Sequence, residues 1–99
     1  MNLFVILTNY NGTKQAEAVF STRDKALYYL KERKQEEGGM PEILEDRLCG
    51  EMTSDNVIFV AACYVSKYDS FDYKGLYGNQ KEAEKAAGNR GLFLPKKID

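Results

Sequence analysis

Two stretches of the chain carry the same succession of apolar and polar positions. Asn2 to Tyr10 is rich in β-branched and aromatic residues and ends at Asn11-Gly12. That dipeptide is a strong hairpin signal, because both central positions of a type I′ turn need positive φ. Gln15 to Phe20 reads as the returning strand. Thr22 to Glu37 consists of good helix formers with Ala26, Leu27, Tyr29 and Leu30 as its apolar part. Ser21 or Thr22 caps this helix, Asp24 is placed for a capping box from Ser21, and Gly38-Gly39 stops it. Beyond Leu30 the segment is polar throughout, so its last two turns are expected to project into water.

The order then recurs. Val57 to Tyr68 is a long apolar strand, Asp69-Ser70 a turn and Phe71 to Tyr77 the return. Asn79 caps a short helix, Gln80 to Ala87, with Glu82 three residues on and Gly88 at its end. A shift of 57 residues lays Val19-Phe20-Ser21-Thr22 on Leu76-Tyr77-Gly78-Asn79 and Ala26 on Ala83. The pattern predicts an α+β fold: a ββα-ββα pseudo-duplicated chain forming a four-stranded antiparallel sheet with two helices on one face. Residues 1–99 read as a single domain, with 1–39 and 57–91 as the two units, 40–56 an insertion and 92–99 a tail. In the insertion, Pro41 and the i,i+4 spacing of Ile43, Leu44, Arg47 and Leu48 favour a short helix. Gly91 to Pro95 is a candidate edge strand, and Lys96 to Asp99 is expected to fray.

Strand side chains alternate, so each turn fixes which residues share a face. With Asn11-Gly12 as the loop, one face holds Leu3, Val5, Leu7, Ala16, Ala18 and Phe20. With Asp69-Ser70 as the loop, the matching face holds Val60, Ala62, Tyr64, Tyr68, Phe71, Tyr73, Gly75 and Tyr77, and sets Tyr64 opposite Gly75. The helices are expected on this side, bulky Leu27, Tyr29 and Leu30 meeting Ala16 and Ala18, and Ala83, Ala86 and Ala87 meeting the tyrosines. The opposite face then carries Phe4, Ile6, Val19, Val57, Phe59, Ala61, Cys63, Val65 and Leu76. An antiparallel sheet with one wet face alternates apolar and polar, yet these strands are apolar on both sides. Something must cover the second face: the insertion with Ile43, Leu44, Leu48 and Met52, the Leu92 to Leu94 tail, a second copy of the chain, or a different protein.

Composition narrows the function by subtraction. The 99 residues are 43% hydrophobic and 29% charged, which excludes a low-complexity or disordered chain. Net charge is −1, split as −3 over residues 1–56 and +2 over 57–99, so a strongly basic nucleic-acid coat is absent. The run Leu3 to Leu7 is too short for a signal sequence or a membrane span, which points to a soluble cytoplasmic protein without membrane contact. Cys49 and Cys63 are expected as free thiols. There is no His, which removes the usual general base and nucleophile activator. The glycines match neither a P-loop nor a dinucleotide fingerprint. Glu42, Glu45, Asp46, Glu51 and Asp55 cluster in the insertion without the alternate-residue spacing of a calcium loop. No catalytic residue, metal site or cofactor is expected.

Nucleic acid is the second possibility. Tyr64, Tyr68, Phe71, Tyr73 and Tyr77 alternate with Lys67 and Lys74, and aromatics beside cations are what single-strand binders use. The register argues against it, since it puts the rings on the helix side and both lysines on the other.

The stretch Ala16 to Lys31 resembles small strand–strand–helix domains of unknown function found in phage, plasmid and bacterial genomes. Their second strand ends in a Gly-Val-Phe-Ser-Thr-like stretch before a helix with an early Ala. Val19, Phe20, Ser21, Thr22 and Ala26 match, Gly75, Leu76, Tyr77, Asn79 and Ala83 repeat the pattern, and Ala18 stands where the family often has Gly. The resemblance spans about half the chain and implies a small accessory protein acting on a host or bacterial protein. The expectation is therefore a non-catalytic protein-binding module or homodimer, with Phe4, Ile6, Phe59, Val65 and Leu76 as anchors. The alternative is a single-stranded nucleic-acid binder using Tyr64, Lys67, Tyr68, Tyr73 and Lys74.

Overall fold

The computed structural model describes residues 1–33 and 41–99. Asn11 and Gly12 both have positive φ, 52° and 88°, and turn β1 (Asn2–Tyr10) into β2 (Thr13–Phe20) as a two-residue hairpin. Thr22 caps α1 (Arg23–Glu32), its hydroxyl accepting from the Lys25 amide at 3.2 Å. The expected continuation of this helix to Glu37 and the Gly38-Gly39 stop lie outside the described residues, as does Met40. β3 (Glu42–Cys49), β4 (Val57–Val65), β5 (Ser70–Tyr77), α2 (Gln80–Ala87) and β6 (Leu92–Lys97) follow. Asn79 caps α2 by accepting from the Glu82 amide at 3.0 Å.

The sheet differs from the expectation. Among the described residues it is six-stranded and mixed, ordered β2-β1-β3-β5-β4-β6, and it curls into a half-barrel with two helices. It is not a four-stranded antiparallel sheet of two ββα units, because each half adds a third strand. Residues 42–49 form strand β3 rather than a helix. Six residues of i,i+4 spacing are too few to hold an isolated helix in water, whereas pairing along β1 from Asn2↔Arg47 to Leu7↔Glu42 satisfies the backbone. β4 ends at Val65 rather than Tyr68. Tyr68 N donates to Val65 O at 3.2 Å and Asp69 adopts φ 49°, which makes 66–69 the loop and sets Val65 opposite Ser70.

Two bulges help the sheet curl. Ile6 pairs with Ala18 but Leu7 with Ala16, which leaves Glu17 as an extra residue. Ala61 pairs with Gly75 but Ala62 with Tyr73, which leaves Lys74 extra. A bulge bends its strand and increases the twist. It also shifts the alternation by one, so residues beyond it change sides relative to the partner strand. Ala18 and Phe20 therefore share a side with Phe4 and Ile6, not with Leu3, Val5 and Leu7. Gly75 and Tyr77 likewise join Phe59 and Ala61, and Tyr64 stands opposite Phe71 instead of Gly75.

The helices consequently lie on the face that the uninterrupted alternation left bare. α1 sets Ala26, Tyr29 and Leu30 on Phe4, Ile6, Ala18 and Phe20. α2 sets Ala83 and Ala87 on Phe59, Ala61 and Tyr77. On the concave side Leu3, Val5, Leu7 and Val19 meet Ile58, Val60 and Leu76, with Leu48, Met52 and Ile98 at the border. A sheet apolar on both sides is thus covered twice by its own chain, by helices outside and by its other half inside. Each fully buried aliphatic side chain contributes roughly 1.5–3 kcal/mol.

Curling brings the sheet edges back together at one end. Val19 bridges Ile98 in parallel, Ser21 N donates to Asp99 O at 3.0 Å, and Asp99 N donates to Val19 O at 3.2 Å. The tail expected to fray is instead tied down through Ile98 and Asp99. At the other junction β3 runs parallel to β5, with Leu48 opposite Leu76 and Gly78 N donating to Cys49 O at 2.8 Å. Both cysteines are free thiols, Cys49 exposed and Cys63 half-buried on β4.

Candidate functional site

The two junctions correspond residue by residue. Leu3 pairs with Asp46 as Ile58 pairs with Lys96. Leu7 pairs with Ala16 as Ala62 pairs with Tyr73. Leu48 meets Leu76 as Ile98 meets Val19. At each junction two parallel strands touch at one end only, so each leaves a slit leading from the surface to the concave core.

The contents of the two slits differ. Between β3 and β5 the Tyr73 ring reaches across, and its hydroxyl donates to Asp46 Oδ2 at 2.6 Å. Burial first, then this hydrogen bond and the Asp46 charge, push the Tyr73 phenol far above its ordinary value. Between β2 and β6 the position matching Tyr73 is Ala16 and the position matching Asp46 is Lys96. With a methyl group in place of a phenol, the slit stays open as a cleft of about 170 Å³. Ala16, Val60, Ala62 and Leu94 give it apolar walls, the rings of Phe71 and Tyr73 line it from β5, and Gln15 and Lys96 add polar groups. Leu94 is 50% exposed. Among the described residues Lys96 makes no ion pair.

The edges flanking this cleft belong to β2 and β6, the outermost strands of the sheet. Among the described residues they meet only around Val19, Ser21, Ile98 and Asp99. A strand edge carries N–H and C=O groups that can pair with an added chain.

The expected protein anchors do not form a surface. Ile6 and Leu76 are fully buried, the first under α1 and the second on the concave side. Phe4 packs beneath α1 with the Arg23 guanidinium 5.2 Å from its ring centre, and Phe59 packs beneath α2. Val65 is half-buried at the end of β4. The aromatic and basic residues considered for nucleic acid are dispersed as well. Tyr73 is committed to Asp46. The Tyr64 hydroxyl donates to Asp69 at 2.6 Å while Arg90 lies 4.2 Å above its ring. Tyr68 lies over Gly12, where an added Cβ would come within 2.6 Å of a ring carbon, and Lys67 stands 5.4 Å from the Tyr68 ring. Lys74 is the exposed bulge residue of β5. The sequence pattern does not bring Gln15, Ala16, Leu94 and Lys96 together as one site, although the 57-residue shift already sets Ala16 against Tyr73.

A second polar group closes the outer side of the first hairpin. The bulged Glu17 accepts from Arg33 Nε at 2.7 Å and Nη2 at 2.8 Å, from Tyr29 at 2.6 Å and from Thr8 at 2.9 Å. The Arg33 hydrogen bonds, helped against burial by those of Tyr29 and Thr8, hold the Glu17 carboxyl down to about 2. Its four hydrogen bonds leave no free carboxylate for acid–base work, and it reads as a clamp from α1 to the sheet. Among the described residues no group of three or more Cys, Asp or Glu is arranged to hold a metal ion, and no helix is long and apolar enough to cross a membrane. No family model, curated protein or solved structure matches this chain.

Proposed function

We propose that this protein is a non-catalytic binding domain that takes an extended segment of a protein partner into the slit between β2 and β6. The observation that carries this reading is the pair of edge strands diverging over an apolar cleft that the matching slit fills with Tyr73. An extended segment gains main-chain hydrogen bonds from either edge, and alternate side chains reach the cleft. The contact is then made by Gln15, Ala16, Leu94 and Lys96, while Phe4, Ile6, Phe59 and Leu76 pack in the core clusters. A second copy of the chain and a different protein both fit this description.

The test is a random-peptide display selection against the pure protein, followed by amide chemical-shift mapping of the enriched peptides. Shifts concentrated on 14–18 and 92–96 support the reading. Shifts concentrated on α1 or α2, or enriched peptides that bind equally well when Ala16→Tyr fills the cleft, overturn it. Sedimentation of the protein alone shows whether a second copy occupies the slit.

A further inference from the structure

The occupied slit describes what the open one lacks. In the first, a phenol fills the space between two parallel strands, and its hydroxyl meets the side chain at position 46. In the second, a space remains that Phe71 and the near side of Tyr73 help to line, its walls are mostly apolar, and the polar group at the position matching Asp46 is the Lys96 ammonium. We infer that the cleft between β2 and β6 is a receptor for a tyrosine side chain presented by an extended segment of a partner protein, ring inside and phenol oxygen accepting from Lys96. This rests on the slit being the binding site and adds the identity of the residue that enters it.

Size, polarity and sign agree on this occupant. A cleft of about 170 Å³ compares with the engineered apolar cavity of roughly 150 Å³ that takes up benzene, so one six-membered ring matches it in size. The chain's own Tyr73 is the precedent, since its hydroxyl ends on Asp46, the residue that matches Lys96. The sign at the tip is reversed. Asp46 accepts the Tyr73 proton, whereas an ammonium has three donors and no acceptor. The entering oxygen must therefore accept, leaving its own proton to water. A phenol oxygen does so, while a phenylalanine leaves the ammonium to solvent alone. A free phenol lacks the main chain that the β2 and β6 edges can pair with, which favours a tyrosine within a peptide.

Two experiments test the inference. In the first, Ala16→Tyr is combined with Lys96→Asp, which rebuilds the Tyr73–Asp46 arrangement in the second slit. The double variant is expected to fold with a higher urea midpoint than the parent, its new phenol titrating above the ordinary range. A lower midpoint, or a new tyrosine that ionises like a free one, overturns the equivalence of the slits and the inference with it. In the second, N-acetylated, C-amidated Thr-Val-Tyr-Val-Thr is titrated by calorimetry beside versions with Phe, Leu or phosphotyrosine at the centre. The Tyr peptide is expected to bind about five- to tenfold tighter than the Phe peptide, with Leu weaker still. That Tyr-over-Phe preference should vanish in Lys96→Met and survive in Lys96→Arg. Equal binding of Tyr and Phe, a phosphotyrosine peptide more than tenfold tighter than Tyr, p-cresol as tight as the peptide, or no binding at millimolar concentration each overturns the inference. If display-selected peptides still require Ala16 but ignore the phenol, the slit remains the binding site and only the tyrosine falls.

Discussion

Thr13 and Ser70 share a buried hydrogen bond of 2.9 Å between their hydroxyls, across 57 residues of sequence. These are matching positions of the two hairpins, each the first residue of a returning strand. The Thr13 hydroxyl donates to Tyr10 O at 2.8 Å, so its proton is spent and Ser70 is the donor between them. Gln15 Nε2 donates in turn to Ser70 Oγ at 3.2 Å. The chain Gln15 to Ser70 to Thr13 to Tyr10 runs in one direction, which lets each bond polarise the next. Outside it, Lys14 N donates to Asp72 Oδ1 at 2.9 Å and pins the same two strands.

Removing Ser70's hydroxyl should therefore cost more than one isolated hydrogen bond. Ser70→Ala leaves the buried Thr13 oxygen without a donor and is expected to destabilise by about 1–3 kcal/mol. Thr13→Val loses the Tyr10 bond too and should cost a similar amount. The double variant, with no half-satisfied hydroxyl left, should cost less than the two singles together. Urea unfolding midpoints of the four proteins measure this coupling. Additivity within error would mean that the two hydroxyls do not act on each other.

The Glu17 clamp makes stability depend on acid pH. The carboxyl titrates near 2 when folded, against an ordinary 4.5. A group held below its unfolded value stabilises the fold fully above about 4.5 and loses that contribution as pH falls towards 2. Discounted for solvent screening, the shift corresponds to a contribution on the order of 1–2 kcal/mol at neutral pH. Glu17→Gln should thus be markedly less stable than the parent at pH 7, and the two unfolding midpoints should converge on acidification towards pH 2. A gap that stays constant across that range would assign the Glu17 effect to packing instead of charge.

Much of the local structure was legible because it depends on neighbours in sequence. Asn11-Gly12 specifies its turn, and Thr22 and Asn79 cap their helices through residues three positions away. The greasiness of both sheet faces was legible too, and so was the demand that something cover them. What sequence did not reveal is how a single extra residue, Glu17 or Lys74, moves Phe20 and Tyr77 to the other side. Neither extra residue is a glycine or a proline, and Gly75, with φ 154° beside Lys74, is the one local mark of a bulge. β3 was missed for a related reason. Ile43, Leu44 and Leu48 suit a helix or a strand, and only the open edge of β1 decides. The cleft is hidden for the same reasons, since uninterrupted alternation puts Ala16 under a helix and the polar tail puts Lys96 outside the sheet.

The bulges also reverse the expected consequence of a substitution. On uninterrupted strands Phe59 would belong to a free docking face, and Phe59→Asp would give a folded protein unable to hold its partner. In the structure Phe59 packs with Ala61, Ala83 and Ala87 under α2. A carboxylate there has no cation within the cluster and is partly desolvated against α2. Phe59→Asp is expected to destabilise by more than about 3 kcal/mol, visible as lost near-ultraviolet dichroism or a collapsed urea midpoint. Lys74→Glu, at an exposed bulge, should stay within about 0.5 kcal/mol of the parent. A folded, stable Phe59→Asp protein would contradict the placement of α2.

Tyr73 is the residue that most distinguishes one slit from the other, and its removal should make the two alike. Tyr73→Phe keeps the ring and deletes the hydroxyl bound to Asp46. The loss of one charge-assisted hydrogen bond is expected to cost about 1.5–3 kcal/mol. Tyr73→Ala deletes the ring as well and opens a cavity onto the concave core, for about 3–5 kcal/mol. Alkaline pH separates the hydroxyl from the ring. An acid whose folded pKa lies above its unfolded value of 10.0 favours the fold below that value, and the fold loses stability relative to the ionised unfolded chain as pH rises through it. The parent should therefore weaken steeply above pH 10, while Tyr73→Phe, having no proton to lose there, should follow a shallower course. Unfolding midpoints taken from pH 8 to 11, with phenolate absorbance recorded on the same samples, give both curves. Parallel curves would mean that the Tyr73 proton is not held by the fold, and that the β3–β5 slit is closed by its ring alone.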